Sequence, residues 1–320
     1  MAAAGPFPVA CVGAGFIGRA WAMVFARAGH PVRMFDEVEG AAEAAVAFAA
    51  EMLPALAAEG LLDGAEPDAV LGRLSVADTL EAALAGAGHV QESTFEDLAL
   101  KRQVFARLDA LADPAAVLAS STSALLPSAF TEGLAGQARC IVVHPLNPPY
   151  LIRAAEVVPG PETAPETVAR TADFMRGCGM APIVMRRELD GFVMNRLQGA
   201  LLEEAFRLVA DGYAGVEDID IGLREGLALR WSFMGPFETI DLNAPGGVRD
   251  YVVRYQQLYE RLFPSMQRRV DWAGPVLEGV EQARRERLPA EGLAARQKWR
   301  DRQLMALMAH KRRTAQKIGD

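Results

Sequence analysis

The turn Gly13-Ala14-Gly15-Phe16-Ile17-Gly18 constrains this chain more than any other stretch. Before it lies an apolar run, Pro8 to Gly13, that fits a strand buried on both faces. After it, Ile17, Ala20, Trp21, Val24, Phe25 and Ala28 recur at helical spacing, and Gly29 ends the helix. A second short strand, Val32 to Phe35, then delivers Asp36 at its end. Strand, G-x-G-x-x-G, helix, strand and acid in this order predict a dinucleotide-binding unit. The glycines allow a tight turn and let backbone approach a pyrophosphate at the helix N-terminus. Asp36 would accept hydrogen bonds from the adenosine ribose and repel the 2′-phosphate of NADP, so NAD is the expected cofactor. Gly13, Gly15, Phe16, Ile17, Gly18 and Asp36 are its binding candidates. The bland alternative is a glycine-rich turn in an unrelated α/β fold.

The pattern continues as strands alternating with helices. Ala41 to Glu59 reads as an Ala-rich helix, bent or broken at Pro54. Strands are expected at Leu74–Val76, His89–Ser93, Val117–Ala119, Ile141–Val143, Glu156–Val158 and Ile183–Met185. Helices are expected at Leu80–Leu84, near Glu96–Leu111 and near Thr167–Gly177. This predicts an α/β N-terminal Rossmann domain with a mainly parallel, doubly wound sheet over residues 1–187. After Asp190, a plausible helix N-cap, Phe192, Leu197, Leu201, Ala205 and Leu208 have helical spacing. Segments near 216–227, 247–263 and 294–312 read the same way, so residues 188–320 are expected to form an all-α C-terminal domain. Lys311-Arg312-Arg313 reads as a solvated helix end.

A net charge of −8 gives no reason to expect nucleic acid or an anionic membrane as partner. No apolar run approaches the ~20 residues of a bilayer span, and the N-terminus lacks signal-peptide features. Cys11, Cys140 and Cys178 lack metal or redox spacing, so buried free thiols in a cytoplasmic protein are expected, with no metal site.

The candidate chemistry lies in Ile141 to Val158. An apolar run delivers His144 into a loop stiffened by Pro145, Pro148 and Pro149, and a second apolar run carries Glu156. Imidazole can hold or release a proton near neutrality, and a carboxylate can orient it. Against this stand a structural loop histidine and a carboxylate on a solvated strand edge. Ser123, in Ser120-Ser121-Thr122-Ser123, could equally cap a helix over Ala124–Phe130. Asn195, amid Phe192, Val193, Met194 and Leu197, is an unusual packing residue, because a buried amide needs partners. Glu96 and Lys101 read as charged residues of a solvated helix.

Taken together, the dinucleotide turn, SSTS at 120–123, HPLNPP at 144–149, Glu156, GFVMNRL at 191–197 and GPFE at 235–238 resemble the 3-hydroxyacyl-CoA dehydrogenase superfamily. GRAWAM at 18–23, HPLNPPY at 144–150 and LAARQKWRD at 293–301 are similar to its lambda-crystallin, or L-gulonate 3-dehydrogenase, branch. The resemblance implies NAD-dependent oxidation of a 3-hydroxy acid to the 3-oxo acid. It implies His144 as general base, Glu156 as its partner, and Ser123 and Asn195 on the reacting oxygen or substrate. It also implies Glu96 and Lys101 near the nicotinamide and its ribose, a site between the domains, and a homodimer.

The substrate class follows partly from charge. Residues 37–72 contain no Lys or Arg but carry Glu37, Glu39, Glu43, Glu51, Glu59, Asp63, Glu66 and Asp68. CoA-using relatives hold the CoA phosphates with basic residues from this segment, so a small free acid is expected instead. Arg230 is the candidate clamp for its carboxylate, or else a partner in a salt bridge. L-gulonate leads; 3-hydroxybutyrate, carnitine and a 3-hydroxyacyl-CoA are the alternatives. A crystallin-like bulk role would not require Ser123, His144, Glu156 and Asn195 together.

Overall fold

The computed structural model describes residues 5–319, which divide into two compact units. The first comprises residues up to Met194 together with those from Arg300 onward. It begins β1 (Val9–Val12), α1 (Phe16–Arg27), β2 (Val32–Phe35), α2 (Ala41–Ala58), α3 (Pro67–Leu71), β3 (Leu74–Val76) and α4 (Leu80–Leu84). It continues β4 (His89–Glu92), α5 (Leu98–Leu111), β5 (Val117–Ser120), α6 (Pro127–Thr131) and β6 (Cys140–Pro145). β7 (Ala154–Pro159), α7 (Pro165–Gly177) and β8 (Ala181–Val184) complete the sheet.

The sheet order is β3-β2-β1-β4-β5-β6-β7-β8. The first six strands are parallel; β7 turns back antiparallel on β6, and β8 runs parallel to β7. Strand order reverses between β1 and β4, and the crevice beyond the carboxyl ends at such a switch point is where this architecture takes ligands. One core lies under α1, α2 and α7 and includes Trp21, Phe25 and Leu53. The other lies under α4 and α5 and includes Phe105, Phe130 and Phe192. Cys11, Cys140 and Cys178 are free and buried, as expected.

Two local expectations need correction. α2 runs through Pro54 without a break. Leu53 and Leu56 on either side are buried, and each contributes about 1.5–3 kcal/mol, offsetting the backbone bond the proline removes. By length and composition α2 is also apolar enough to cross a membrane, although no such run was expected. Its buried positions Ala42, Ala45, Ala49, Leu53 and Leu56 instead form one helical stripe in the core.

The second unit, Asn195–Trp299, is helical. The helices are α8 (Met194–Ala210), α9 (Val216–Ile221), α10 (Ala228–Trp231), α11 (Pro236–Leu242), α12 (Gly247–Met266), α13 (Pro275–Arg287) and α14 (Leu293–Ile318). A π-helical stretch, Gly222–Leu227, interrupts the helix expected across 216–227. The sequence reading missed α11 and α13. α8 starts at Met194, so Asp190 is not its cap: a turn with Gly191 and Phe192 at positive φ intervenes. The expected boundary at 187 moves to 194. The expected all-α domain 188–320 also loses its end, because the last part of α14 buries Met305 and Ala309 in the core of the first unit.

Candidate active site

Parallel strands bring their following residues to one edge. Along it lie the glycine turn after β1, Asp36 after β2, Phe95 and Glu96 after β4, Ser121–Ser123 after β5, and His144 near the end of β6.

The glycines divide their roles. Gly13 has φ +94°, and a Cβ there would meet Ser93 O at 2.6 Å. At Gly18 a Cβ would meet Gly13 O at 1.8 Å, so α1 passes the turn only without a side chain. A Cβ on Gly15 would meet nothing within 4 Å, so that glycine keeps space open rather than packing. Gly15 is the N-cap of α1, no side chain caps it, and no acid lies in the first turn, which suits a phosphate anion. The Asp36 carboxylate accepts from Ala14 N at 2.6 Å and Val38 N at 2.9 Å. That leaves acceptor capacity on both oxygens for a ribose diol. Phe16 and Ile17 open α1. These residues fit NAD.

Glu96 lies before α5, not inside it; Asp97 is the N-cap, accepting from Leu100 N at 2.8 Å. Glu96 Oε1 accepts from Thr122 Oγ1 at 2.5 Å and from Ser123 N and Ala124 N at 2.9 Å each. It therefore shapes the Ser123 loop. Ser123 caps no helix, because α6 begins only at Pro127.

Lys101 is not a solvated residue: its side chain is 1% exposed. Its Nζ donates to Glu92 Oε1 at 2.8 Å and Thr94 O at 3.4 Å. Glu92, fully buried at the end of β4, also accepts from Thr94 N, Thr94 Oγ1 and Ser120 Oγ, each at 2.6 Å. Sequence reasoning missed this hub; an acid closing an apolar strand, with a lysine on the next helix, was the available signal. Behind it a buried polar chain runs His89, Gln91, Ser121, Ser93, with hydrogen bonds of 3.1, 2.8 and 2.9 Å.

His144 and Glu156 are cross-strand partners in the β6–β7 register. His144 Nδ1 and Glu156 Oε2 are 2.7 Å apart, with the carboxylate fully buried, not on a solvated edge. Glu156 Oε1 accepts from Val193 N at 2.6 Å and Met194 N at 2.9 Å, at the start of α8. An ionised carboxylate only accepts, so Nδ1 donates to it, and in the neutral ring the lone pair lies on Nε2. Phe192, buried beside the imidazole at a ring separation of 5.6 Å, walls one side. The proline loop after His144 is tied down by Arg27 Nη1 donating to Tyr150 O at 3.1 Å. β5–β6 register pairs Ser120 with Val142, so the Ser121–Ser123 loop leaves the sheet at the level where β6 presents His144.

In the second unit, Asn195 is exposed at the second position of α8, so burial does not explain its choice. Arg230 lies on α10, and its Nε is buried without a hydrogen-bond partner. Among the described residues no group of three or more His, Cys, Asp or Glu side chains converges on a metal position.

A switch-point crevice with a glycine turn, an acid closing the second strand and a carboxylate-held histidine fits a dinucleotide-dependent oxidoreductase fold. The chain belongs to the 3-hydroxyacyl-CoA dehydrogenase family: its NAD binding domain matches residues 8–189 and its C-terminal domain residues 191–275. NAD is therefore the cofactor. The chain is 45% identical to a lambda-crystallin homolog of Bos taurus over 94% of this chain and 95% of the relative. It is 45% identical to an L-carnitine dehydrogenase of Streptomyces coelicolor over 73% and 72% of the two chains. Among solved structures it is similar to 5-formyl-3-hydroxy-2-methylpyridine 4-carboxylic acid 5-dehydrogenase, an NAD+-dependent dismutase. That similarity has a TM-score of 0.81 and 28% identity over 94% of this chain and 96% of the other. The chain is an NAD-dependent dehydrogenase acting on a CH–OH group.

Proposed function

We propose that this protein catalyses reversible oxidation of a small free 3-hydroxy acid to the 3-oxo acid, with His144 as general base. The observation that carries this reading is the buried His144–Glu156 pair at the carboxyl edge of the sheet. His144 Nε2 takes the proton from the substrate hydroxyl. Glu156, braced by two backbone N–H groups, holds the ring in one tautomer and stabilises the imidazolium. Ser123, on the loop held by Glu96, hydrogen-bonds the reacting oxygen. Bound NAD supplies the hydride acceptor. Lys101, already held by Glu92 and Thr94, has a third N–H for the nicotinamide ribose.

A free acid is favoured over a CoA ester because residues 37–72 carry no basic residue. Of the arginines reaching that segment from elsewhere, Arg107 is held by Glu37 at 2.7 Å and Arg312 by Asp63 at 2.8 Å, Arg27 donates to Leu61 O, and Arg19 lies over the Phe48 ring. Arg230 is the proposed carboxylate clamp, and its unpartnered Nε supports this. L-gulonate leads because the lambda-crystallin resemblance spans nearly the whole chain; the carnitine dehydrogenase relatives keep L-carnitine as the second reading.

The test is NADH formation from NAD+ with L-gulonate, L-carnitine, L-3-hydroxybutyrate and 3-hydroxybutyryl-CoA. Activity is expected on a free acid. His144→Ala should lower kcat by about 10²–10⁴ while NADH still binds. Arg230→Ala should raise KM for the acid and leave KM for NAD unchanged. Turnover of the CoA ester alone would overturn the substrate reading.

We also propose a homodimer formed through the helical unit. α12 has no buried residue, and Val252, Tyr255, Tyr259, Leu262 and Met266 line it at helical spacing while exposed. A second copy would cover that stripe.

A further inference from the structure

Phe95 is the most exposed large apolar side chain of the first unit, at 79%. Its backbone is nevertheless held on both sides. Thr94 donates through N and Oγ1 to buried Glu92. Asp97 N donates to Phe95 O at 2.9 Å, and Asp97 itself caps α5. Glu96 is bonded to the 122–124 loop. A phenyl ring held out from a rigid segment offers a flat apolar face that a ligand ring can stack on without any rearrangement of the backbone. Phe16, the other exposed aromatic beside the turn, has the Arg19 guanidinium 4.7 Å from its ring centre; no ring or cation partner is found for Phe95 among the described residues.

The position says what it is presented to. Ser93, two residues earlier, backs the glycine turn so closely that a Cβ on Gly13 would meet its carbonyl oxygen at 2.6 Å. Glu96, one residue later, holds the backbone of Ser123. Phe95 therefore stands on the short bridge from the pyrophosphate turn to the reacting end, beside the switch point between β1 and β4. The extended dinucleotide must cross this stretch, and it carries two flat heteroaromatic rings.

We propose that Phe95 is a cofactor-binding residue whose phenyl face stacks on a ring of the bound dinucleotide. Such a contact adds dispersion and excludes water from one face of the ring without any hydrogen bond. The proposal rests on NAD being the cofactor, which family membership establishes, and is independent of the substrate.

The test is binding, not turnover: dissociation constants of NADH and ADP-ribose by titration calorimetry for the parent, Phe95→Ala, Phe95→Leu and Phe95→Tyr. Phe95→Ala should weaken NADH binding about tenfold, with Phe95→Tyr close to the parent and Phe95→Leu between. The melting temperature without cofactor should not move, because the side chain is exposed. An equal loss for ADP-ribose would make adenine the partner; an unchanged ADP-ribose affinity would make it nicotinamide. NADH affinity within about twofold of the parent in Phe95→Ala would overturn the proposal. So would a fall in the melting temperature without cofactor, which would mean Phe95 serves packing. A parent protein that binds no NADH would instead refute the cofactor assignment.

Discussion

Glu156 divides its two oxygens between one imidazole and two backbone N–H groups, and all three partners are donors. Glu156→Gln keeps the shape but puts an NH2 against one of them. We expect kcat to fall by about two to four orders of magnitude with NADH affinity unchanged, measured by steady-state kinetics beside a binding titration. His89 raises a different residue-scale question. It is buried among Phe25 and Phe174, and burial pushes its pKa down to about 4. The unfolded chain takes up that proton at about pH 6.5. Between those values the unfolded state binds a proton that the folded state refuses, so stability falls as pH drops through this window and levels off below it. The loss reaches about 3 kcal/mol. Denaturant midpoints at pH 7 and pH 5 should differ clearly in the parent and less in His89→Gln.

At the scale of elements, α14 is the instructive case. Its helical signal is local and was legible: 294–312 expected, Leu293–Ile318 found. Its allegiance was not. Met305 and Ala309 bury in the core beneath α1 and α2, and Arg312 holds Gly60 O and Asp63. Met305→Ala should cost about 2–5 kcal/mol, read as an earlier denaturant midpoint. Arg312→Ala, which breaks an ion pair with the exposed Asp63, should cost about 1 kcal/mol. α8 shows the same division. Its apolar spacing predicted a helix, but its start at Met194 was decided by the turn through Phe192, whose ring fills the second core and whose successors bind Glu156.

For the whole molecule, the exposed apolar stripe on α12 sets the expected assembly. Phe263, half exposed on this helix, can be changed without opening a core. Phe263→Glu should convert a dimer to a folded monomer, seen by light scattering after size exclusion with an unchanged circular dichroism spectrum. A parent protein that is already monomeric at micromolar concentration would refute the dimer.

The eight strands in chain order and the cofactor turn with Asp36 came from the sequence alone, which also singled out His144 and Glu156 as candidates. Each depends on periodicity, glycine sterics or turn chemistry acting within about ten residues. Family resemblance, carried by several motifs in register, implied the roles proposed for Ser123, Asn195 and Lys101, which local reading could not supply. Pairings between distant residues became visible only in the folded chain. Glu92 with Lys101 and Ser120, Glu96 with the Ser123 loop, Glu156 with Val193 and Met194, and α14 with the first core are of this kind. A buried carboxylate must find donors, and an apolar helix face must find a core. Which donors and which core depends on how the whole chain packs.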